Sequence, residues 1–279
     1  MHRARRLQIC KHEFSSKAID RFTMSFLGFF KRRATGDQPA LPCVPEGERV
    51  YAIGDIHGRD DLFGQLLEMI AADNAARDPM RVTLILLGDL VDRGPDSASV
   101  VARAMALGAP FDRVHLLIGN HEEVFLKALG GSIEALRFFV RIGGEQTIHS
   151  YGIVGDDYLA LDFPELLERL QAAVPQDHVA FLAAGEDHVE IGDYLFVHAG
   201  VRPGVPLAVQ RSSDLRWIRD DFLNDTRDHG RFIVHGHTIS DAPDQQQNRL
   251  GIDTGAFRSG ILTVAGFERD QRWLLSTSA

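Results

Sequence analysis

Five times along this chain a short apolar run breaks off into a turn that carries Asp, Asn or His. Val50-Tyr51-Ala52-Ile53 leads into Gly54-Asp55-Ile56-His57-Gly58, and Val82–Leu87 leads into Gly88-Asp89-Leu90-Val91-Asp92-Arg93-Gly94. Val114–Ile118 is followed by Gly119-Asn120-His121-Glu122, Tyr194–Val197 by His198-Ala199-Gly200, and Phe232-Ile233-Val234 by His235-Gly236-His237-Thr238. Runs of this length bounded by turn residues predict strands. Between the first two, Leu62, Leu66, Met69 and Ile70 recur at helical spacing and predict a helix within 60–76. Asp96 is placed to cap a second helix over 97–107, whose Val100, Val101, Ala104 and Leu107 share one face. Strand, helix, strand, helix, strand implies parallel βαβ units.

Residues 123–187 carry helical patterns and no strong strand, punctuated by Gly143-Gly144, Pro164 and Pro175, and are expected to form a helical insertion capping one side of the site. Val189–Ile191 and Tyr194–Val197 flank Gly192-Asp193 as a hairpin, a short helix is expected over 214–222, and late strands over 249–253, 261–267 and 272–275. The expected fold class is α/β, with mixed β-sheets flanked by helices.

Composition changes this picture mainly at the N-terminus. The 279 residues are 44% hydrophobic and 25% charged, ordinary for a globular protein, and suggest one large domain or two small ones. The net charge of −9 gives no overall attraction for nucleic acid. Residues 1–36 nevertheless hold nine Lys/Arg against two acidic residues. Residues 1–48 are therefore expected to be a basic, flexible extension, and 49–279 the folded domain. Within the extension, Met24 is an alternative start, and Phe26, Phe29, Phe30 and Lys31-Arg32-Arg33 suggest a peripheral membrane contact through residues 24–33. Cys10 and Cys43 have no framework spacing, which favours a reducing, cytoplasmic setting, and no apolar run approaches the ~20 residues of a bilayer span.

The strand-end turns concentrate the chemistry. Asp55, His57, Asp89, Asn120, His198 and His237 bring carboxylate, imidazole and amide groups with no thiolate, a mixture suited to divalent manganese, iron or zinc. Six such groups exceed what one open catalytic metal needs and fit two metals sharing a carboxylate, an arrangement used to hydrolyse phosphate esters.

In order and spacing, Gly54–Gly58, Gly88–Gly94, Gly119–Glu122, His198–Gly200 and Gly236–Thr238 resemble the calcineurin-like metallophosphoesterases, and more narrowly the bacterial and phage-type serine/threonine phosphoprotein phosphatases. The resemblance runs from about Arg49 to Gly266 and takes in Ile142-Gly143-Gly144, Arg202–Pro206, Trp217-Ile218-Arg219 and Ile252–Ala256. It implies a four-layer sandwich of two mixed sheets. It also implies a dinuclear centre, with manganese first and iron or zinc as alternatives, holding a bridging hydroxide for in-line attack.

Carried over residue by residue, Asp55 and His57 bind the first metal, Asp89 bridges, and Asn120, His198 and His237 complete the second. Ile239 stands where many relatives have a further histidine, which leaves the first metal three protein ligands. Arg93 and Arg219, with Asn120, bind the substrate phosphate. His121 protonates the leaving oxygen and Asp92 orients it.

Two substrate classes compete, a phosphoprotein and a small phosphoester. The symmetric dinucleoside tetraphosphate hydrolases typically show Ala where Asp92 stands and Asp where Glu122 stands, so these two positions point to a serine/threonine protein phosphatase, with the nucleotide hydrolase as the alternative. His235 and His115 read as structural, and His149, His178, His188 and His229 as solvated. Glu122 and Glu123 read as acids that favour a helix N-terminus, with no metal role.

Overall fold

The computed structural model describes residues 41–278, so the expectations placed on residues 1–40, the membrane contact at 24–33 included, lie outside the described residues. The apolar runs form two five-stranded mixed sheets. The first has the order β10-β9-β1-β2-β3, built from β1 (Glu48–Ile53), β2 (Arg81–Leu86), β3 (Arg113–Leu116), β9 (Thr263–Glu268) and β10 (Gln271–Ser276). The second has the order β4-β5-β6-β8-β7, from β4 (His188–Ile191), β5 (Tyr194–Val197), β6 (Phe232–His235), β7 (Asp244–Gln245) and β8 (Arg249–Gly251). β1, β2 and β3 run parallel, as do β5, β6 and β8, and β4 and β5 form the expected antiparallel hairpin.

Alternation along the strands sorts side chains into layers. Tyr51, Ile53, Leu84 and Leu86 point outward into a core shared with helices, whereas Val50, Ala52, Ile85 and Leu87 point inward. There they meet Phe196, Phe232, Val234 and Leu250 of the second sheet. The outer face of the second sheet, through Leu195, Val197 and Ile233, packs on Leu215, Ile218 and Phe222. Helix, sheet, sheet and helix thus stack as four layers, the architecture expected.

The helices are α1 (Asp60–Ala75), α2 (Ser97–Met105), α3 (Asn120–Leu129), α4 (Ile133–Phe139), α5 (Glu145–Ser150), α6 (Gly155–Leu159), α7 (Phe163–Ala173), α8 (Gln176–Ala183), α9 (Ser212–Trp217), α10 (Asp220–Leu223) and α11 (Ala256–Ser259). Asp96 caps α2 by accepting from the Ser99 N–H at 3.0 Å, as its position predicted. The segment 214–222 holds the short helix expected there, α9, and a second, α10, separated from it by extended Ile218 and by Arg219 at φ −134°, ψ −106°. The insertion is built of helices, with a single β-bridge from Glu186 to Leu117, and its apolar residues Phe125, Leu136, Phe139, Ile148, Leu166 and Leu170 complete the core on the outer face of the first sheet.

The folded part starts earlier than residue 49. Val44 is buried and its N–H donates to the Arg269 carbonyl, while the Cys43 carbonyl accepts from Asp193 N–H. Backbone hydrogen bonds draw this segment in, and composition does not report them. Among the described residues no helix is long and apolar enough to cross a membrane.

Candidate metal centre

Every predicted ligand lies at, or just beyond, the carboxyl end of a parallel strand: Asp55 and His57 after β1, Asp89 after β2, Asn120 after β3, His198 after β5 and His237 after β6. Parallel strands present these ends on one edge of each sheet, and sheet packing brings the two edges together. The loops are then tied to one another. Ile56, His57 and Gly58 N–H donate to the carbonyls of Asp89, Asp89 and Leu90, and Gly236 N–H donates to the His198 carbonyl.

The turns are strained. His57, Asp89, Asp92, Arg93 and His237 all have φ between 47° and 75°, the left-handed region that non-glycine residues rarely occupy. Close approach explains the neighbouring glycines: a Cβ on Gly119 would lie 2.1 Å from Asp89 Oδ1, and one on Gly236 would lie 2.0 Å from Asp55 Oδ1.

Two groups of potential ligands gather around Asp89. His57, Asp89 and His121 form one, and Asp89, His198 and His237 the other; in each, the ligand atoms lie within 4.8 Å of one another and all three residues are buried. Proton accounting shows what the second group needs. His198 Nδ1 lies 2.8 Å from the Leu87 carbonyl, which only accepts, so Nδ1 carries the proton. His198 Nε2 therefore presents a lone pair, with Asn120 Oδ1 at 3.1 Å and Asp89 Oδ1 at 3.5 Å. His237 Nε2 is buried with no hydrogen-bond partner. Asp89 Oδ1, Asn120 Oδ1 and His198 Nε2 converge as electron-pair donors without a proton among them, and the partnerless His237 Nε2 beside them completes a donor set that a divalent cation satisfies. Burial keeps His198 below its usual range and drives His237 down to about 2, so neither imidazole supplies the missing positive charge.

The first group is filled differently. His57 Nδ1 donates to the Val91 carbonyl at 2.7 Å, and burial holds His57 down to about 3 against the pull of Asp89. Arg93 Nη1 lies 2.8 Å from His57 Nε2, and Arg93 Nη2 lies 2.8 Å from His121 Nε2. A guanidinium thus occupies the acceptor side of both imidazoles. Asp55, expected beside His57, accepts the His237 backbone N–H with both oxygens at 3.1 and 3.0 Å. Asp55 is pushed well above the usual carboxylate range by burial and then by Asp253 and Asp89. Burial alone would raise Asp89 too, but in acid, where the imidazoles of His198, His121 and His57 take up protons, their charge outweighs burial, so Asp89 stays low and is an anion beside the neutral imidazoles at neutral pH.

Asp92 and His121, paired through the family resemblance, lie in contact, with Asp92 Oδ2 2.6 Å from His121 Nδ1. Asp92 Oδ1 accepts from Thr147 Oγ1 at 2.7 Å, which ties the pair to α5 of the insertion. Burial lowers His121, but Asp89 and Asp92 outweigh it and raise its affinity for a proton. Arg219 is exposed and forms no ion pair among the described residues, yet its charge reaches both His198 and His237.

Three contributors escaped the sequence reading. Glu122 is fully buried, and its carboxylate accepts four backbone N–H groups: Asp89 at 2.8 Å, Leu90 at 2.7 Å, Val91 at 3.2 Å and Gly119 at 3.0 Å. It clamps the loop that carries Asp89, a role that nothing in local spacing shows. Asp253, buried beside Asp55, is raised to about 6 by burial, and its Oδ2 has no partner. Thr147 comes from a distant helix. Of the histidines read as solvated, His178 instead bonds Tyr151 Oη at 2.9 Å, and His149 and His188 each bury an unpartnered nitrogen. His115 is half-buried and pairs with Glu186 at 2.7 Å.

Comparison with known proteins adds to this geometry. A family model described as calcineurin-like phosphoesterase matches residues 48–254. A symmetrical bis(5′-nucleosyl)-tetraphosphatase of Acidovorax sp. strain JS42 is 39% identical over 154 residues, 55% of this chain and 44% of that protein. An asymmetrical bis(5′-nucleosyl)-tetraphosphatase of Halalkalibacterium halodurans is 27% identical over 229 residues, 77% of this chain and 88% of that protein. The match spans 44% of the length of the JS42 relative and of a second symmetrical tetraphosphatase, from Acidovorax ebreus. The crystal structure of a proposed diadenosine tetraphosphatase superposes with a TM-score of 0.58 at 21% identity, covering 86% of this chain and 99% of that one, and so shares the fold.

These relatives overturn the expectation of a serine/threonine protein phosphatase, since they are named for dinucleoside tetraphosphates. The residues behind that expectation serve other ends. Glu122 accepts backbone N–H groups of the Asp89 loop, and Asp92 pairs with His121, contacts made within the protein that do not themselves select a leaving group.

Proposed function

This chain belongs to the calcineurin-like phosphoesterase family, and from that premise we propose that it is a metal-dependent hydrolase of bis(5′-nucleosyl) tetraphosphates, cutting symmetrically to two nucleoside diphosphates. The observation that carries the reading is the convergence of unprotonated donors around Asp89, in a chain whose relatives are named for this substrate. Asp89, Asn120, His198 and His237 would hold one metal. His57 and Asp89 would hold the other, with Asp55 brought in when the ion is present; manganese suits this donor set. When bound, the metals polarise the phosphoryl oxygens and lower the pKa of the attacking water.

The protein side chains do the rest. Arg93 and Arg219 bind the phosphate oxygens, Arg93 by a two-toothed contact its planar head allows. In the structure Arg93 donates to His121 Nε2, which requires a neutral imidazole. A phosphate that draws Arg93 away frees Nε2 to take the proton that Asp89 and Asp92 favour. Water oxygen then bonds to phosphorus and gives up a proton to solvent, the bridging P–O bond breaks with its electron pair on the departing phosphate oxygen, the Nε2 proton passes to that oxygen, and Nε2 regains a proton from solvent. Asp92, held by Thr147, keeps Nδ1 engaged throughout.

The test is hydrolysis of diadenosine tetraphosphate by manganese-loaded protein, with products resolved by anion-exchange chromatography. ADP alone is expected. ATP with AMP would move the cut to the asymmetrical position, and an uncleaved dinucleotide beside a cleaved p-nitrophenyl phosphate would refute the substrate class.

A further inference from the structure

Phe257 stands against the candidate metal centre, yet it belongs to none of the three hydrophobic clusters among the described residues. Its ring lies 5.6 Å from the His57 ring at 84°, and Arg93 Cζ lies 5.1 Å over it. The residue is half-buried. An aromatic side chain gains most where apolar neighbours enclose it, and here its neighbours are an imidazole and a guanidinium.

The backbone beneath it is fixed. Phe257 sits on the single turn of α11, between Gly255 and Gly260, which have φ of 66° and 73°. Ser259 Oγ bonds the Thr254 carbonyl at 2.8 Å and accepts the Ile261 N–H at 3.0 Å, while Arg59 Nη1 donates to the Ala256 carbonyl at 2.9 Å. The ring is therefore held in place by its backbone rather than by a core, as a preformed contact surface requires.

We propose that Phe257 is the stacking platform for one nucleobase of the substrate. The inference rests on the nucleotide reading above. In a symmetrical cut, one phosphate and one ribose separate one base from the phosphorus under attack, and two phosphates and one ribose separate the other from the leaving oxygen. The base must then settle on side chains that border the phosphate-binding groups. Phe257 borders Arg93 and His57 in this way, and it offers a π-face that accepts any base.

The experiment isolates the base from the phosphate. Manganese-loaded protein hydrolyses p-nitrophenyl phosphate in the presence of ADP or of pyrophosphate, and the two inhibition constants are compared. Stacking of one base on an aromatic ring supports an expected advantage for ADP of about tenfold or more in the wild type. Phe257→Leu should bring that ratio close to one, and Phe257→Trp should keep it. An unchanged ratio in Phe257→Leu, or equal weakening of both inhibitors as expected of a mere prop for Arg93, would overturn the platform. Cleavage of diadenosine tetraphosphate is scored separately. Cleavage with a ratio indifferent to Phe257 defeats the platform alone, and a Phe257-dependent ratio without cleavage defeats the substrate reading alone.

Discussion

Glu122→Gln tests whether the metal centre depends on a carboxylate that touches no substrate. The four N–H groups it accepts divide two to each oxygen: Asp89 and Gly119 on Oε2, Leu90 and Val91 on Oε1. Glutamine keeps one oxygen and turns the other into an NH2 donor, so in either orientation two backbone donors lose their acceptor. At about 1.5–3 kcal/mol for each hydrogen bond to a charged group, the loss is about 3–6 kcal/mol. An opposing effect exists in the metal-free protein. Burial, then Asp89, push Glu122 up to about 7 from an ordinary 4.5. At about 1.4 kcal/mol per tenfold, removing that disfavoured charge returns about 3 kcal/mol at high pH.

At pH 8 the metal-free variant should thus be destabilised by about 2 kcal/mol, a fall in Tm of roughly 4–8 °C for a domain of this size. Bound cations would cancel the repulsion from Asp89 but not the cost of burial, so part of the relief disappears in the loaded protein and the net loss grows. That difference should weaken metal binding by about 10–100-fold, the range seen when a ligand's supporting partner is removed. Titration calorimetry of metal-stripped protein with Mn2+, beside melting curves with and without the ion, measures both quantities. Wild-type affinity in Glu122→Gln, with the same Tm loss in either state, would refute the argument.

Other outcomes follow from the same geometry. His121→Asn should lower kcat by about 10²–10⁴-fold on a substrate with a poor leaving group, the ordinary contribution of a proton donor, and less on a tetraphosphate, whose departing diphosphate needs less help. Asp92→Asn should lower kcat like His121→Asn without adding to it in the double variant, and additive losses would separate the two residues. Arg219→Ala should raise KM and the inhibition constant for phosphate about tenfold while leaving the fold intact; an unchanged KM would remove Arg219 from the phosphate contact. Asp253 has a folded pKa raised to about 6 from 3.8, so the stability tied to its protonated form is full below about 4 and is lost as pH rises through 6. Asp253→Asn should therefore stabilise the metal-free protein above pH 6 by up to about 3 kcal/mol, as read from denaturant midpoints, and leave it unchanged at pH 4.

The sequence by itself determined the strands and the chemistry at their ends. β2 and β5 are legible because apolar runs of four to six residues between turn signals leave few alternatives, and a glycine beside Asp89 or His237 marks a tight turn even before its packing is known. Tertiary structure decided what the spacing could not contain. It turned Asp55 to the His237 amide, set Arg93 between two imidazoles, and brought Thr147 from the insertion to Asp92. It also gave Glu122, by its place in the sequence only a helix-opening acid, four amides of the metal-bearing loops. The physical reason is the same in each case. A strand or turn is specified by neighbours within a few residues, whereas a buried polar atom is satisfied by whichever partner the fold delivers, here, the Gly119 amide apart, from residues 28 to 182 positions away.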